Sequence, residues 1–489
     1  MTPTTTQQIH VGGALACPGR DPISGPVDIH IAAGRILAVT PTGASQSPLL
    51  ALPPLVNGHD HGRGLTPLAY GALDQTLELW LPALKLQPSL SVYTVTALAL
   101  AQMARSGIGA AVHCHNPSGG DLMEAVQAVC QAARDVGLRL ALAVPMNDRN
   151  ALAYGDPQRL LELVPAADRP RLQQLWSPPT LPAAEQVARV EAIAAACEDD
   201  YIHVQYCPWG PQWCSPTLLE GIAAAAADTG RPVHMHLLET RYQRQWADAH
   251  YPQGLVRYLD DIGLLSPRLT VAHGVWLRPD EMELLAQRGV VVSVNTSSNL
   301  RLRSGIPPYQ RLRAAGVAIA FGLDGMALHN PGDAFQELRL NYHLHAQDTL
   351  APPTPADLFE AQRQGLWAVT HRRDLGQLQP GQGADILLLN DAAMGPEWLP
   401  QTSDPLERIV ACARPERVAG LWVNGRQVVN KGQVLGVNEA ELAAEVAAGV
   451  RSQAAGVYSL QPLARRYQEA LKQFYGQGLH QQPDPPQNA

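Results

Sequence analysis

At 489 residues, with 46% hydrophobic and 16% charged side chains, the chain can bury a large core in more than one domain, which excludes intrinsic disorder. Its net charge of −8 and the lack of any basic block argue against nucleic acid as a partner. No apolar run approaches the ~20 residues of a membrane span, residues 1–13 lack the basic head and apolar stretch of a signal peptide, and seven irregularly spaced cysteines suit reduced thiols, so a cytoplasmic protein with no membrane partner is expected.

Residues 8–41 hold short alternating runs separated by glycine and proline, the pattern of antiparallel strands, and similar runs return at 384–389, 418–423 and 427–429. Strand-rich ends flanking a long middle predict one small β-sandwich built from both termini, residues 1–50 and 376–436. An apolar run over 49–56 predicts the first strand of the middle. After it, helix 91–105 leads to strand 108–112, helix 121–136 to strand 138–144, and helix 183–198 to strand 201–206. The alternation continues with helix 216–228 and strand 232–235, 255–262 and 268–272, 280–287 and 290–294, then 309–315 and 317–321. Eight strands separated by helical periodicity predict an α/β fold, a (β/α)8 TIM-type barrel over residues 51–375. An Ala-, Glu- and Arg-rich helical extension is predicted for 437–475, and the Gln-, Pro- and Asn-containing end, 476–489, is expected to be a flexible tail.

Barrel enzymes carry their chemistry where strands end at the C-terminal face. Here those ends are rich in ligating groups. His59 and His61 follow strand 1, and residues two apart on a strand point the same way, so they offer two imidazoles to one point, half of a transition-metal site. His113, Cys114 and His115 follow strand 2, and Cys207 and Trp209 follow strand 4. Strand 5 supplies His234, His236 and Glu239, strand 6 His273, strand 7 Asn295, Ser297, Ser298 and Asn299, and strand 8 Asp324. Sixteen histidines scattered at random would seldom reach so many strand ends.

Four stretches, His59-Asp60-His61, His234-Met235-His236-Leu237-Leu238-Glu239, Ala272-His273-Gly274 and Leu323-Asp324-Gly325, occur in order on the expected strands. With them the chain resembles the amidohydrolase superfamily over residues 8–435, in particular its aminohydrolase branch of guanine deaminase, adenosylhomocysteine deaminase and the triazine hydrolases. The resemblance implies a metal held by His59, His61, His236 and Asp324, because the family's strand-5 ligand precedes its catalytic glutamate by three. A bound metal ion lowers the pKa of water from about 15.7 to ~7. Asp324 is then placed to take the water's proton, Glu239 to protonate a ring nitrogen and serve the leaving amine, and His273 to orient the attacked centre. His234 is expected to face away from the ligand His236, and Asp60 to point outward. The resemblance also implies a homodimer or larger homo-oligomer.

Candidate substrate contacts are Arg63, close behind the metal pair, and Glu78 and Trp80, which resemble a pocket-lining loop of the nucleoside-type relatives. His115 and Asn299 join them. Trp209 stands where relatives often carry histidine, and it offers a flat wall for a planar ring. No lysine occurs between Lys85 and Lys431, so the carbamylated lysine that bridges two metals in binuclear amidohydrolases has no counterpart here. One divalent ion is therefore expected, zinc ahead of iron. The alternative is a second ion bridged by a Cys114 or Cys207 thiolate and completed by His113 and His115. The expected function is that of a metal-dependent hydrolase of a non-peptide C–N bond, deaminating a small planar nitrogen heterocycle. Ring opening of a cyclic amide, or displacement of an amine or other leaving group, fits the same scaffold, and the complete ligand set argues against an inactive assembly protein.

Overall fold

Pro53 and Pro54 divide the first apolar run. In the computed structural model, which describes residues 6–21, 23–116, 120–328, 332–347, 349–394 and 404–482, the single strand expected over 49–56 is two, Leu49–Leu52 and Leu55–Asn57. Proline lacks the N–H that a continuing ladder needs. The first piece pairs antiparallel with Ile386–Asn390, and the second runs parallel to Ile108–Cys114, so the proline pair is the joint between two sheets.

The barrel wall consists of β1 (Leu55–Asn57), β2 (Ile108–Cys114), β3 (Arg139–Met146), β4 (Ile202–Pro208), β5 (Val233–Leu237), β6 (Leu269–His273), β7 (Val291–Val294) and β8 (Ala318–Phe321). Each is parallel to its neighbour in sequence order. Gly58 N–H donates to Phe321 C=O at 2.7 Å, which brings the last strand against the first. Alternation sorts the two faces of each strand. Val233, Met235 and Leu237 of β5 join the core under the helices, and His234 and His236 therefore face the lumen. Val56, Ala110, Val112, Cys114, Ala141, Ala143 and Cys207 fill that lumen together with Leu366 and Val369 of the Pro355–Thr370 helix.

The remaining strands form a three-stranded sheet (Gln7–Val11, Val27–Ala32, Arg35–Pro41) and a six-stranded sheet that includes Leu49–Leu52, Ile386–Asn390 and Val418–Val423. Ile9, Val11, Ile29 and Ile31 of the first pack with Ala51, Ile386, Leu388 and Trp422 of the second. Where this sandwich meets the barrel floor, Arg139 at the start of β3 donates to both Asp385 carboxylate oxygens, at 2.7 and 3.0 Å, and to the Asp200 carbonyl at 2.7 Å. Asp385 also accepts the Asn424 N–H at 2.7 Å.

The C-terminal helix Glu439–Gly476 packs on the Leu77–Leu84 and Val92–Arg105 helices. The chain beyond it, expected to be loose from 476 onward, is ordered as far as it is described. His480 is fully buried, its ring lies 5.1 Å from that of Tyr475, and its Nε2 pairs with Gln245 Oε1 at 3.0 Å. One histidine with two aromatic neighbours outweighs the polar composition around it. Residues 483–489 of the expected tail lie outside the described residues. Among the described residues no helix is long and apolar enough to cross a membrane.

Candidate active site

Three strands leave the barrel wall through non-glycine residues in the left-handed region: Leu238 after β5 (φ +49°), His273 at the end of β6 (φ +74°) and Asp324 after β8 (φ +57°). Each such residue costs on the order of 1–3 kcal/mol, a strain that clusters at functional sites. The turns carry His273, Asp324 and Glu239 over the lumen. Gly62 (φ +59°) makes the matching turn after β1, and a Cβ there would lie 2.2 Å from His113 Nδ1. At Gly322 a Cβ would come within 2.8 Å of the His59 backbone nitrogen, so β1 and β8 can approach only because that side chain is missing.

The nitrogens of His59, His61 and His236 lie within 4.8 Å of one another. His61 Nδ1 donates to the Cys114 carbonyl at 3.0 Å, and His236 Nδ1 donates to the Trp209 carbonyl at 2.7 Å. A carbonyl oxygen can only accept, so each neutral ring carries its proton on Nδ1 and presents a bare Nε2. Asp324 Oδ1 lies 3.2 Å from His59 Nε2 and 3.1 Å from His61 Nε2, and the Ser298 hydroxyl donates to its Oδ2 at 2.5 Å. Burial holds the imidazoles neutral, pushing His59 down to about 4 and His236 well below the usual range. His59 Nε2 is buried and makes no hydrogen bond. Neutral imidazoles, one carboxylate and an unanswered ring nitrogen turned to one point fit a divalent cation with nitrogen and oxygen ligands.

Beside this cluster, Glu239 is 3% exposed and His273 is 1% exposed. His273 Nε2 stands 3.7 Å from Glu239 Oε2 and 4.0 Å from Asp324 Oδ2, while its Nδ1 donates to Asn299 Oδ1 at 2.8 Å. Burial pushes the Glu239 carboxyl up to about 7, aided by the Asp324 and Glu78 charges and opposed by His273. Ser304 Oγ donates to Glu239 Oε1 at 3.2 Å, and the Glu239 backbone N–H donates to Gln243 Oε1 at 2.8 Å.

The candidate substrate contacts divide. Arg63 donates to the Asp324 carbonyl at 2.8 Å and spreads over the Trp80 ring at 5.3 Å, so these two meet each other. Glu78 is buried and accepts the Thr240 hydroxyl at 2.5 Å, one residue from Glu239. Asn299 is tied to His273. Trp209 is half-buried, its indole 6.3 Å from that of Trp213 and edge-on to it. His115 is buried against His113, ring centroids 5.8 Å apart, and among the described residues neither joins a group of three potential metal ligands.

Two expectations are corrected. Asp60 does not point outward: it is 2% exposed and accepts from Asn57 Nδ2, Gly62 N and Gly325 N at 2.7–2.8 Å, bracing the β1 turn against the β8 turn. A short acceptor flanked by free turn N–H groups is more stable there than in water. His234 does not face away from His236, because residues two apart on a strand share a face; its Nε2 lies 2.8 Å from His59 Nδ1. Sequence reasoning placed Ser298 at the end of strand 7 without giving it a role, and it assigned none to Ser304, Gln243 or the two backbone carbonyls, which carry no side-chain signal at all.

A sequence model of the amidohydrolase family matches residues 50–428. A 5-methylthioadenosine/S-adenosylhomocysteine deaminase of Pelotomaculum thermopropionicum is 29% identical over 451 residues, covering 88% of this chain and 95% of the relative. A 5'-deoxyadenosine deaminase of Methanothermobacter thermautotrophicus is 29% identical over 79% of this chain and 83% of its own. Among solved structures, an adenosine deaminase from Xanthomonas campestris with bound zinc superposes with a TM-score of 0.76 at 23% identity, covering 91% of this chain and 98% of that one. A zinc complex of an atrazine chlorohydrolase from Arthrobacter aurescens gives 0.76 at 21% identity, with 91% and 99% covered.

Proposed function

The chain belongs to the amidohydrolase family, and on that premise we propose that it deaminates an amino-substituted nitrogen heterocycle, with one divalent ion, zinc ahead of iron, held by His59, His61, His236 and Asp324. The observation that carries this reading is the convergence of Glu239, His273 and Asp324 beside the histidine cluster. Zinc in the related structures supports the metal, and the deaminases among the relatives support loss of ammonia from an adenine-like ring. All seven cysteines are free, in keeping with a reducing compartment.

Bound there, the ion makes water acidic enough to serve as a nucleophile at neutral pH. The protein supplies the proton traffic. Asp324 takes a proton from the attacking water, which His273 Nε2 orients as an acceptor because its Nδ1 is committed to Asn299. Glu239, raised to about 7, carries a proton near neutrality and gives it to the ring nitrogen beside the attacked carbon. As the C–N bond breaks, its electron pair leaves with the amine, which takes the proton Asp324 had accepted. The new hydroxyl returns its proton to Glu239. Ammonia departs, a ring carbonyl remains, and both carboxyl groups regain their starting states.

The test is ammonia release from purified protein offered adenosine, 5'-deoxyadenosine, 5'-methylthioadenosine, S-adenosylhomocysteine, guanine and amino-triazines. One of these is expected to yield ammonia and the ring carbonyl, with activity lost to a chelator and restored by zinc. A ring-opened acid, or release of chloride or alkylamine without ammonia, overturns deamination in favour of the other hydrolyses the scaffold allows.

A further inference from the structure

We propose that His234 is a positioning residue for the metal ligand His59: its Nε2 accepts the His59 Nδ1 proton and thereby fixes the tautomer that turns a bare Nε2 toward the metal position. The inference rests on the ligand set proposed above.

The three ligand imidazoles are secured in two different ways. His61 and His236 each donate Nδ1–H to a backbone carbonyl, a partner that cannot change its role. His59 has no carbonyl. Its Nδ1 lies 2.8 Å from His234 Nε2, with the two ring planes 9° apart, and both side chains are fully buried. Two neutral imidazoles share one proton across that contact, so one of two arrangements holds. If His234 donates, the His59 proton sits on Nε2, 3.2 Å from Asp324 Oδ1, and blocks the lone pair a metal needs. If His59 donates, Nε2 is bare. Only the second makes His59 a ligand. It requires His234 to carry its own proton on Nδ1, an atom that is buried without a partner.

Cys114 does not substitute for this acceptor. Its Sγ lies 3.6 Å from His59 Nδ1, farther than His234 Nε2 at 2.8 Å, and cysteine sulfur is a weak acceptor. The register of β5 builds the arrangement: His234 and His236 face the lumen two residues apart, so the first supports a ligand from β1 while the second is itself a ligand.

Zinc affinity, measured by competition with a chromogenic chelator, tests this without reference to turnover. His234→Leu fills the space but cannot accept, and it is expected to weaken zinc binding by ~10–100-fold, the usual effect of losing a ligand's outer partner. His234→Gln keeps an acceptor oxygen and is expected to bind within a few-fold of the parent. His236→Ala serves as the control. If it retains zinc, the ligand set itself fails; if it loses zinc while His234→Leu binds like the parent, only the present inference falls. Should His234→Leu not fold, nitrogen-15 NMR of histidine-labelled zinc protein decides. An unprotonated Nε2 on His234 supports the assignment, and a protonated one overturns it.

Discussion

The ion pair at the floor of the barrel and the histidine cluster at its mouth both bury polar side chains, and they treat them in opposite ways. At the floor, Arg139 and Asp385 are 0 and 5% exposed, and their charged atoms are all answered by protein. At the mouth, His59 Nε2, Asn299 Nδ2, Glu78 Oε2 and His115 Nε2 are buried with no hydrogen-bond partner, and the backbone at Leu238, His273 and Asp324 is strained. A buried polar group without a partner costs ~1–3 kcal/mol. The ion pair at the floor is answered within the protein, whereas His59 Nε2 at the mouth is turned unanswered toward the other imidazoles of its cluster, where a ligand can take it up. The ion pair at the floor ties the barrel to the sandwich, and the mouth is where the proposed chemistry takes place.

Substitutions at the two ends are therefore expected to separate activity from stability. The largest effect is expected at Glu239. Glu239→Gln keeps size and removes the transferable proton, and it is expected to lower kcat by ~10²–10⁴-fold with metal content and melting temperature unchanged. Steady-state kinetics beside metal analysis checks this, and near-normal turnover contradicts the role. Asp385→Ala is expected to do the reverse. It leaves a buried guanidinium uncompensated, which costs ~3–5 kcal/mol of stability in urea unfolding, while kcat of the folded protein stays at the parent value. A large loss of kcat there blurs the division between floor and mouth.

A smaller effect follows from pH. The Glu239 carboxyl, raised by burial to about 7, is protonated below that pH and loses its proton above it. If the protonated form is the working one, kcat/KM falls as pH rises through about 7, and the profile of kcat/KM against pH shows it. A rate that climbs across that range assigns the ring-protonating role elsewhere. The smallest change is expected at Trp209. Its half-buried indole offers a stacking face worth about 0.5–1.5 kcal/mol, so Trp209→Ala is expected to raise KM by up to ~10-fold with metal retained. An unchanged KM removes Trp209 from the substrate wall.

Much of the barrel was legible because alternating strand and helix periods survive in one sequence, and the ligand motifs sit where each strand ends. The errors have physical causes. Residues 49–56 read as one apolar run, yet Pro53 and Pro54 break the ladder and send the halves to different sheets. Residues 476–482, the described start of the expected tail, read as loose by composition, which does not register a single histidine packed among tyrosines. His234 was recoverable from the parity rule that pairs His59 with His61, but the ligand spacing to Glu239 drew attention to His236 alone. The carbonyls of Cys114 and Trp209, which set the tautomers of His61 and His236, belong to backbone geometry, and no residue type encodes them.

The central claim is that His59, His61, His236 and Asp324 at the mouth hold a single divalent ion, and metal analysis of protein purified without chelator tests it most directly. About one equivalent of zinc or iron per chain is expected, falling to background in Asp324→Ala. Two equivalents at full occupancy, or a wild-type metal load in Asp324→Ala, contradicts the ligand set and the proton path built around it.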